Sequence, residues 1–86
     1  MTEWKSLNVA DQCRQMKLKV GDTIFGREDT AGHWHEARLT LLWLGETTAV
    51  WRVTVRSSRD TEWSEPCEAT NWTLFFRDWK KVKGND

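Results

Sequence analysis

The sequence lacks tyrosine altogether, has one proline and five glycines among its 86 residues, and balances thirteen basic against thirteen acidic side chains. So little proline and glycine argues against a disordered or low-complexity chain. Zero net charge removes the long-range field that attracts nucleic acid. There is no apolar run of roughly 18 residues, as a membrane span needs, and no apolar secretion segment near the N-terminus. We therefore expect one soluble, cytoplasmic domain with a single small core and no membrane partner.

The sequence contains few residues arranged for metal binding or catalysis. Cys13 and Cys67 stand far apart in the sequence and form no paired metal or redox motif, so we expect two free thiols. His33 and His35 share one face of a predicted strand, but no neighbouring ligand completes a metal site. No nucleophile with an adjacent base and no phosphate-binding glycine loop is present. We expect no enzyme activity, no metal and no cofactor, and solvated, functionally passive histidines.

Tryptophan is what the chain has in excess, with seven residues beside three phenylalanines. Each side chain carries on the order of 200 Å² of surface, so three or four fill most of the core of so small a domain. The others must be partly exposed and are candidates for contact with a partner.

Two long strands dominate the pattern, at residues 34–44 and 48–57, joined around residues 45–47. A three-residue connection gathers the apolar side chains on one face and pairs Glu36 with Arg56 on the other. A five-residue connection preserves the same parity and remains an alternative. The predicted core face consists of Leu39, Leu41, Trp43, Trp51 and Val53.

The rest of the chain is predicted from weaker patterns. Residues 1–15 form an N-terminal extension with a short helical signal capped by Ser6. The domain proper spans residues 16–83, and residues 84–86 form a frayed end. A polar loop is expected at residues 29–32. Further strand-like stretches are residues 17–20, 23–27, 72–76 and 77–83.

The stretch Val20-Gly21-Asp22-Thr23-Ile24, followed by residues 34–39 and a glycine-turn hairpin, resembles the opening of Tudor-like and other SH3-like barrels. The resemblance covers roughly half of the chain, and the hairpin lacks the family's Asp-Gly turn. It implies a mainly β domain, a small antiparallel sheet curled into an SH3-like barrel. In Tudor-like members, an aromatic cage captures a methylated cation, which gives our third functional hypothesis. The compact, tryptophan-rich chain also looks like a small accessory protein of tailed bacteriophages.

Our first functional hypothesis is a non-catalytic protein-interaction module, an accessory or inhibitory factor that docks on a larger protein. The loop from Arg56 to Pro66 is longer than a strand connection needs to be, which is typical of functional loops. Trp63 within it either covers an open end of the barrel or serves as an anchor for a partner pocket. The predicted contact residues are Arg56, Arg59, Asp60, Glu62, Trp63 and Glu65.

The second hypothesis is a nucleic-acid-binding module that uses arginine and tryptophan side chains on the sheet. Basic residues would contact phosphates while an indole stacks on a base. The alternative explanation for the C-terminal lysines is protection of a strand edge against unwanted pairing. The residues of this hypothesis are Arg38, Arg52, Arg77, Trp79, Lys80 and Lys81.

Overall fold

The structure of the chain, a computed structural model, describes residues 6–70 and 80–82. Within these ranges, one helix precedes five strands: α1 (Val9–Gln15), β1 (Thr23–Thr30), β2 (His33–Leu44), β3 (Ala49–Ser57), β4 (Cys67–Thr70) and β5 (Lys80–Val82). The strands form one antiparallel sheet in the order β4-β3-β2-β1-β5. The predicted mainly β domain with a single antiparallel sheet is confirmed, and its closure into a barrel stays a prediction. No helix in the described ranges is long and apolar enough to cross a membrane.

The core lies on one face of the β2–β3 hairpin, in the register that the alternation predicts. Leu39 stands opposite Val53 and Leu41 opposite Trp51, and all four side chains are buried. Ile24 of β1 pairs with Leu39 and extends the same buried face. The period of two along both strands therefore determines which side of the sheet excludes water.

Trp43 does not belong to the core, and its prediction was wrong. A β-bulge at Leu42 shifts the pairing so that Trp43 stands opposite Val50, and Trp43 is 53% exposed. Its ring lies against Gly45, where a Cβ atom would collide with it. The connection to β3 is residues 45–48, one residue longer than predicted. Because β2 ends in a run of apolar residues, alternation alone could not reveal the inserted one.

Helix α1 covers the buried face of the sheet. It begins after Asn8, whose side-chain oxygen accepts a hydrogen bond from the Asp11 backbone N–H at 2.8 Å, and not after Ser6 as predicted. Asparagine in this position satisfies a backbone donor that the first turn leaves unpaired. The buried residues of the helix are Val9, Ala10, Gln12 and Cys13.

The last turn of α1 is tied to the turn between β2 and β3. The Arg14 guanidinium donates to the backbone oxygens of Gly45 at 2.6 Å and Glu46 at 3.1 Å, and pairs with Asp11 at 2.8 Å. One side chain thus bonds two turn carbonyls and holds the short helix in its packed position.

The predicted boundaries of several shorter elements were wrong. Residues 17–20 form a turn and irregular chain and not a strand. The expected polar loop at residues 29–32 shrinks to the two-residue turn Ala31-Gly32, because β1 continues to Thr30. Both turn residues have positive φ, 48° and 85°, as tight hairpin turns require.

The C-terminal strands agree only in part with the patterns. Strand β4 at residues 67–70 was not predicted, because it has no apolar alternation. Strand β5 lies inside the predicted stretch 77–83. The predicted strand at residues 72–76 lies outside the described residues.

Truncation of the core should be far more costly than truncation on the opposite face. Leu41→Ala should lower the free energy of unfolding by about 2–5 kcal/mol, because the side chain is completely buried. The neighbouring Thr40→Ala is the control: it removes a hydroxyl contact with Thr23 at 2.8 Å and should cost about 1 kcal/mol. Denaturant melts measure both, and a larger loss for Thr40→Ala would contradict the register.

The two free thiols should differ sharply in reactivity. Burial raises the pKa of the Cys13 thiol to about 11, whereas Cys67 is exposed. Since the thiolate is the nucleophile, Cys67 should react alone with a disulfide reagent at mildly alkaline pH, and Cys13 only after denaturation. Cys67→Ser is the matched control and should abolish the native reaction. Rapid labelling of Cys13 in the folded Cys67→Ser variant would contradict its burial.

Candidate functional site: the outer face of the sheet

The face of the sheet directed away from α1, here called the outer face, gathers arginine, threonine and aromatic side chains. On β2 and β3, the residues that alternate with the buried apolar side chains point outward, as the strand period requires. The pairing of β1 with β2 adds the outward residues of β1 to the same surface. The outer face comprises Thr23, Phe25, Arg27, Asp29, Trp34, Glu36, Arg38, Thr40, Arg52, Thr54 and Arg56.

Glu36 is the carboxylate at the centre of one end of this face, and it is only 7% exposed. Arg56 donates through Nη2 at 2.7 Å and Nε at 3.1 Å to Glu36 Oε1. On the other side, Arg27 Nη1 lies 3.6 Å from Glu36 Oε2. A carboxylate this buried needs paired cations to offset its desolvation. The three side chains stand in one cross-strand row, Arg27 opposite Glu36 and Glu36 opposite Arg56.

Trp34 lies beside this row, and the guanidinium groups of Arg27 and Arg56 both contact its ring. The guanidinium carbons of Arg27 and Arg56 are 4.8 and 5.5 Å from the centroid of the Trp34 ring. Arg27 also pairs with Asp29 at 3.3 Å. Such guanidinium–indole contacts are attractive because the ring face carries negative charge density.

Trp63 reaches the same face from the irregular segment 58–66, here called the strap. Its ring centroid lies 4.4 Å from the guanidinium carbon of Arg38 and 4.8 Å from that of Arg56. Phe25 approaches it edge-on, with 6.3 Å between centroids and 71° between planes. Trp63 is half-buried, so it covers the sheet face while part of its ring stays accessible.

Two hydrogen bonds at the neighbouring residue fix the position of Trp63. The backbone N–H of Ser64 donates to the Val55 oxygen at 2.8 Å, and Ser64 Oγ accepts from the Val55 N–H at 3.0 Å. At the other end of the strap, Asp60 Oδ2 accepts from the backbone N–H and the hydroxyl of Ser57. The strap is therefore bonded to β3 on both sides of the indole.

The structure brings together part of each predicted residue set. Arg56 and Trp63 of the first set meet Arg38 of the second, and Arg52 lies on the same face. The other strap residues of the first set are exposed, and no contact in the described structure joins them to this face: Arg59, Asp60, Glu62 and Glu65. The sequence signal that joins the two sets is strand alternation, which places positions 38, 52 and 56 on the same face of the hairpin.

The basic C-terminal residues separate onto two sides of the sheet. Lys80 stands opposite Phe25, on the outer face, whereas Lys81 stands opposite Ile24 and pairs with Asp22 at 3.1 Å. The Lys19 backbone N–H, and after it Lys81, hold the pKa of Asp22 below its ordinary value. Arg77 and Trp79 lie outside the described residues.

Sequence reasoning missed Arg27, Trp34 and Phe25 as members of the site. Their common position depends on the pairing of β1 with β2 beyond Ile24, where polar residues occupy both faces of β1 and no hydrophobic alternation marks the register.

A separate concavity of about 420 Å³ lies at the tip of the β1–β2 hairpin, lined by Ala31, His33, His35, Ser57, Ser58 and Arg59. His33 Nδ1 lies 3.5 Å from Ser58 Oγ. In the part of the chain that the structure describes, no three side chains converge as metal ligands. This concavity therefore supports no metal centre within that part.

The fold and the outer face define a small antiparallel β domain with one arginine- and tryptophan-bearing surface. The chain belongs to the family described as Domain of unknown function (DUF7241), whose model matches residues 7–84. No curated protein and no solved structure matches the sequence.

The Glu36 carboxylate should be essential to the order of this face. Glu36→Gln keeps the shape but removes the charge that pairs Arg27 and Arg56, and should lower the free energy of unfolding by about 2 kcal/mol. The exposed Glu28→Gln is the control and should change stability by less than about 0.5 kcal/mol. Denaturant melts test both, and equal stabilities would show that the pairing contributes nothing.

Proposed function

We propose that the protein is a non-catalytic protein-interaction module whose outer face and strap contact a partner protein. The observation that carries this proposal is the position of Trp63, which is half-buried and contacts Arg38 and Arg56. Arg38 and Arg52 on the same face are exposed. Tryptophan and arginine dominate the binding energy of protein interfaces, where they form clusters surrounded by weaker contacts. The proposal includes that the protein is an accessory factor that docks on a larger protein.

Fixed geometry favours such a role. The Ser64 hydrogen bonds to Val55 hold Trp63 in one place, and Glu36 holds Arg56. Side chains that are already ordered lose little conformational entropy on binding, so more of their contact energy appears as affinity. A partner would meet a preformed surface and would not have to order a mobile one.

The same contacts argue against base stacking as the main function. Two guanidinium groups already approach the Trp63 ring within 5 Å of its centroid, which leaves less of its π surface for a nucleobase. Glu62 and Glu65 are exposed within two residues of Trp63 and would repel phosphates close to its ring. A cage for a methylated cation is disfavoured for a related reason, because the chain supplies its own cations to Trp34 and Trp63.

The test is capture of a partner from nuclease-treated lysate of the native host, with wild type and two tryptophan variants as bait. Trp63→Ala should reduce capture at least about tenfold, as expected for an interface hot spot. Trp43→Ala removes an exposed indole that lies on the hairpin end and should leave capture unchanged. Quantitative mass spectrometry measures both.

Folding must be checked beside this experiment, because Trp63 also packs on the sheet. Thermal melts should place both variants well above the temperature of the capture. Equal capture by wild type and folded Trp63→Ala would remove the outer face from the interface.

A further inference from the structure

Four residues in the middle of the outer face form a compact group of hydrogen-bond donors, here called the Arg–Thr quartet: Arg38, Thr40, Arg52 and Thr54. Arg38 stands directly opposite Thr54, and Thr40 directly opposite Arg52. The two arginines are therefore diagonal neighbours on β2 and β3. Thr40 Oγ also lies 2.8 Å from Thr23 Oγ, which fixes one corner of the group.

Among the described residues, the arginines of the quartet differ from the other two on this face in having no carboxylate partner. Arg27 and Arg56 are both paired with Glu36. Within residues 6–70 and 80–82, Arg38 contacts the Trp63 ring but no carboxylate, and Arg52 forms no ion pair, although Glu68 stands opposite it in the register. Both residues are exposed, which fits guanidinium donors that are open to a ligand.

The chemistry of the quartet suits carboxylates. A guanidinium presents a planar fork of donors that matches the two oxygens of a carboxylate. Threonine hydroxyls beside it add further donors. Lys80 on the neighbouring edge adds a third positive charge to the same row as Arg38.

The spacing of the two arginines suits an extended chain. Diagonal neighbours on adjacent antiparallel strands lie about 7–8 Å apart. Residues i and i+2 of an extended segment point to the same side and are roughly 6.6 Å apart. Two acidic side chains in alternate positions of such a segment would therefore reach both arginines at once.

We infer that the Arg–Thr quartet binds an extended acidic segment of the partner protein, with carboxylates at positions i and i+2 paired with Arg38 and Arg52. This inference rests on the proposed function and names the chemistry of its partner. The half-buried ring of Trp63, over which the Arg38 guanidinium lies, supplies an apolar neighbour for the same segment.

A protein segment is favoured over a nucleic-acid strand because the positive patch is small. The chain as a whole has zero net charge, and the strap carries exposed Glu62 and Glu65 within two residues of Trp63. A polyanion that runs from the quartet past Trp63 would approach those acids, whereas an acidic segment confined to the quartet would not.

The probe is a short synthetic peptide in which glutamate alternates with threonine, compared with the same peptide carrying glutamine for glutamate. Calorimetric titration at low salt should give binding of the acidic peptide and at least about tenfold weaker binding of the neutral one. Arg52→Gln should weaken acidic-peptide binding by about tenfold, and Arg38→Gln together with Arg52→Gln should abolish it. Arg52 makes no ion pair in the described structure, so its single variant should fold normally.

The matched control is the double variant Lys17→Gln with Lys19→Gln, which removes two positive charges from the connection between α1 and β1. It should bind the acidic peptide like wild type. Equal affinity for the two peptides, or an equal loss in the lysine control, overturns the inference. Tighter, Arg52-dependent binding of an oligothymidylate of similar length also overturns it, in favour of nucleic acid.

The lysate capture separates failure of this inference from failure of the proposed function. If Arg52→Gln captures the partner like wild type while Trp63→Ala loses it, the quartet is not the contact and the proposed function stands. If Trp63→Ala captures the partner like wild type, the proposed function itself fails.

Discussion

The register between β2 and β3 is the constraint on which both the core and the outer face depend. It buries Leu39 and Leu41 completely and, by the same alternation, turns Arg38 and Thr40 outward. A slip of one residue would exchange the two sets, placing a guanidinium in the core and leucines in water. Selection for a stable core therefore also fixes the backbone positions from which the arginines extend.

The register ends at the bulge in β2, and the end of the hairpin is held in a different way. Beyond Leu42 the pairing shifts, and Trp43 leaves the core. There, Arg14 bonds the Gly45 and Glu46 carbonyls, so α1 is joined to the turn by hydrogen bonds in addition to its apolar contacts. A helix of seven residues is too short to be stable alone. Its order depends on this bond and on the sheet that it covers.

The sequence predicts those parts of the structure that a local pattern of apolar and polar residues determines. Alternation along β2 and β3 predicted their pairing, including Glu36 with Arg56, because apolar and polar residues there differ in every second position. The β1–β2 connection was predicted as a loop at residues 29–32, but its tight two-residue form was missed because nothing marks Ala31 for positive φ. The position of Trp63 could not be predicted either, because the strap is irregular. The hydrogen bonds between Ser64 and Val55 set that position, and such bonds produce no periodic pattern in the sequence.

Zero net charge does not prevent this chain from presenting a positive patch, because some arginines of the outer face are paired with carboxylates and others are not. Arg27 and Arg56 are paired with the carboxylates of Glu36 and Asp29, while Arg38 and Arg52 have no carboxylate partner among the described residues. At physiological ionic strength the field of two exposed guanidinium groups is screened within about 8 Å. They cannot attract a distant polyanion, and they act only on carboxylates already in contact. An interface built on them gains selectivity for what touches the quartet and gains little in the rate of encounter.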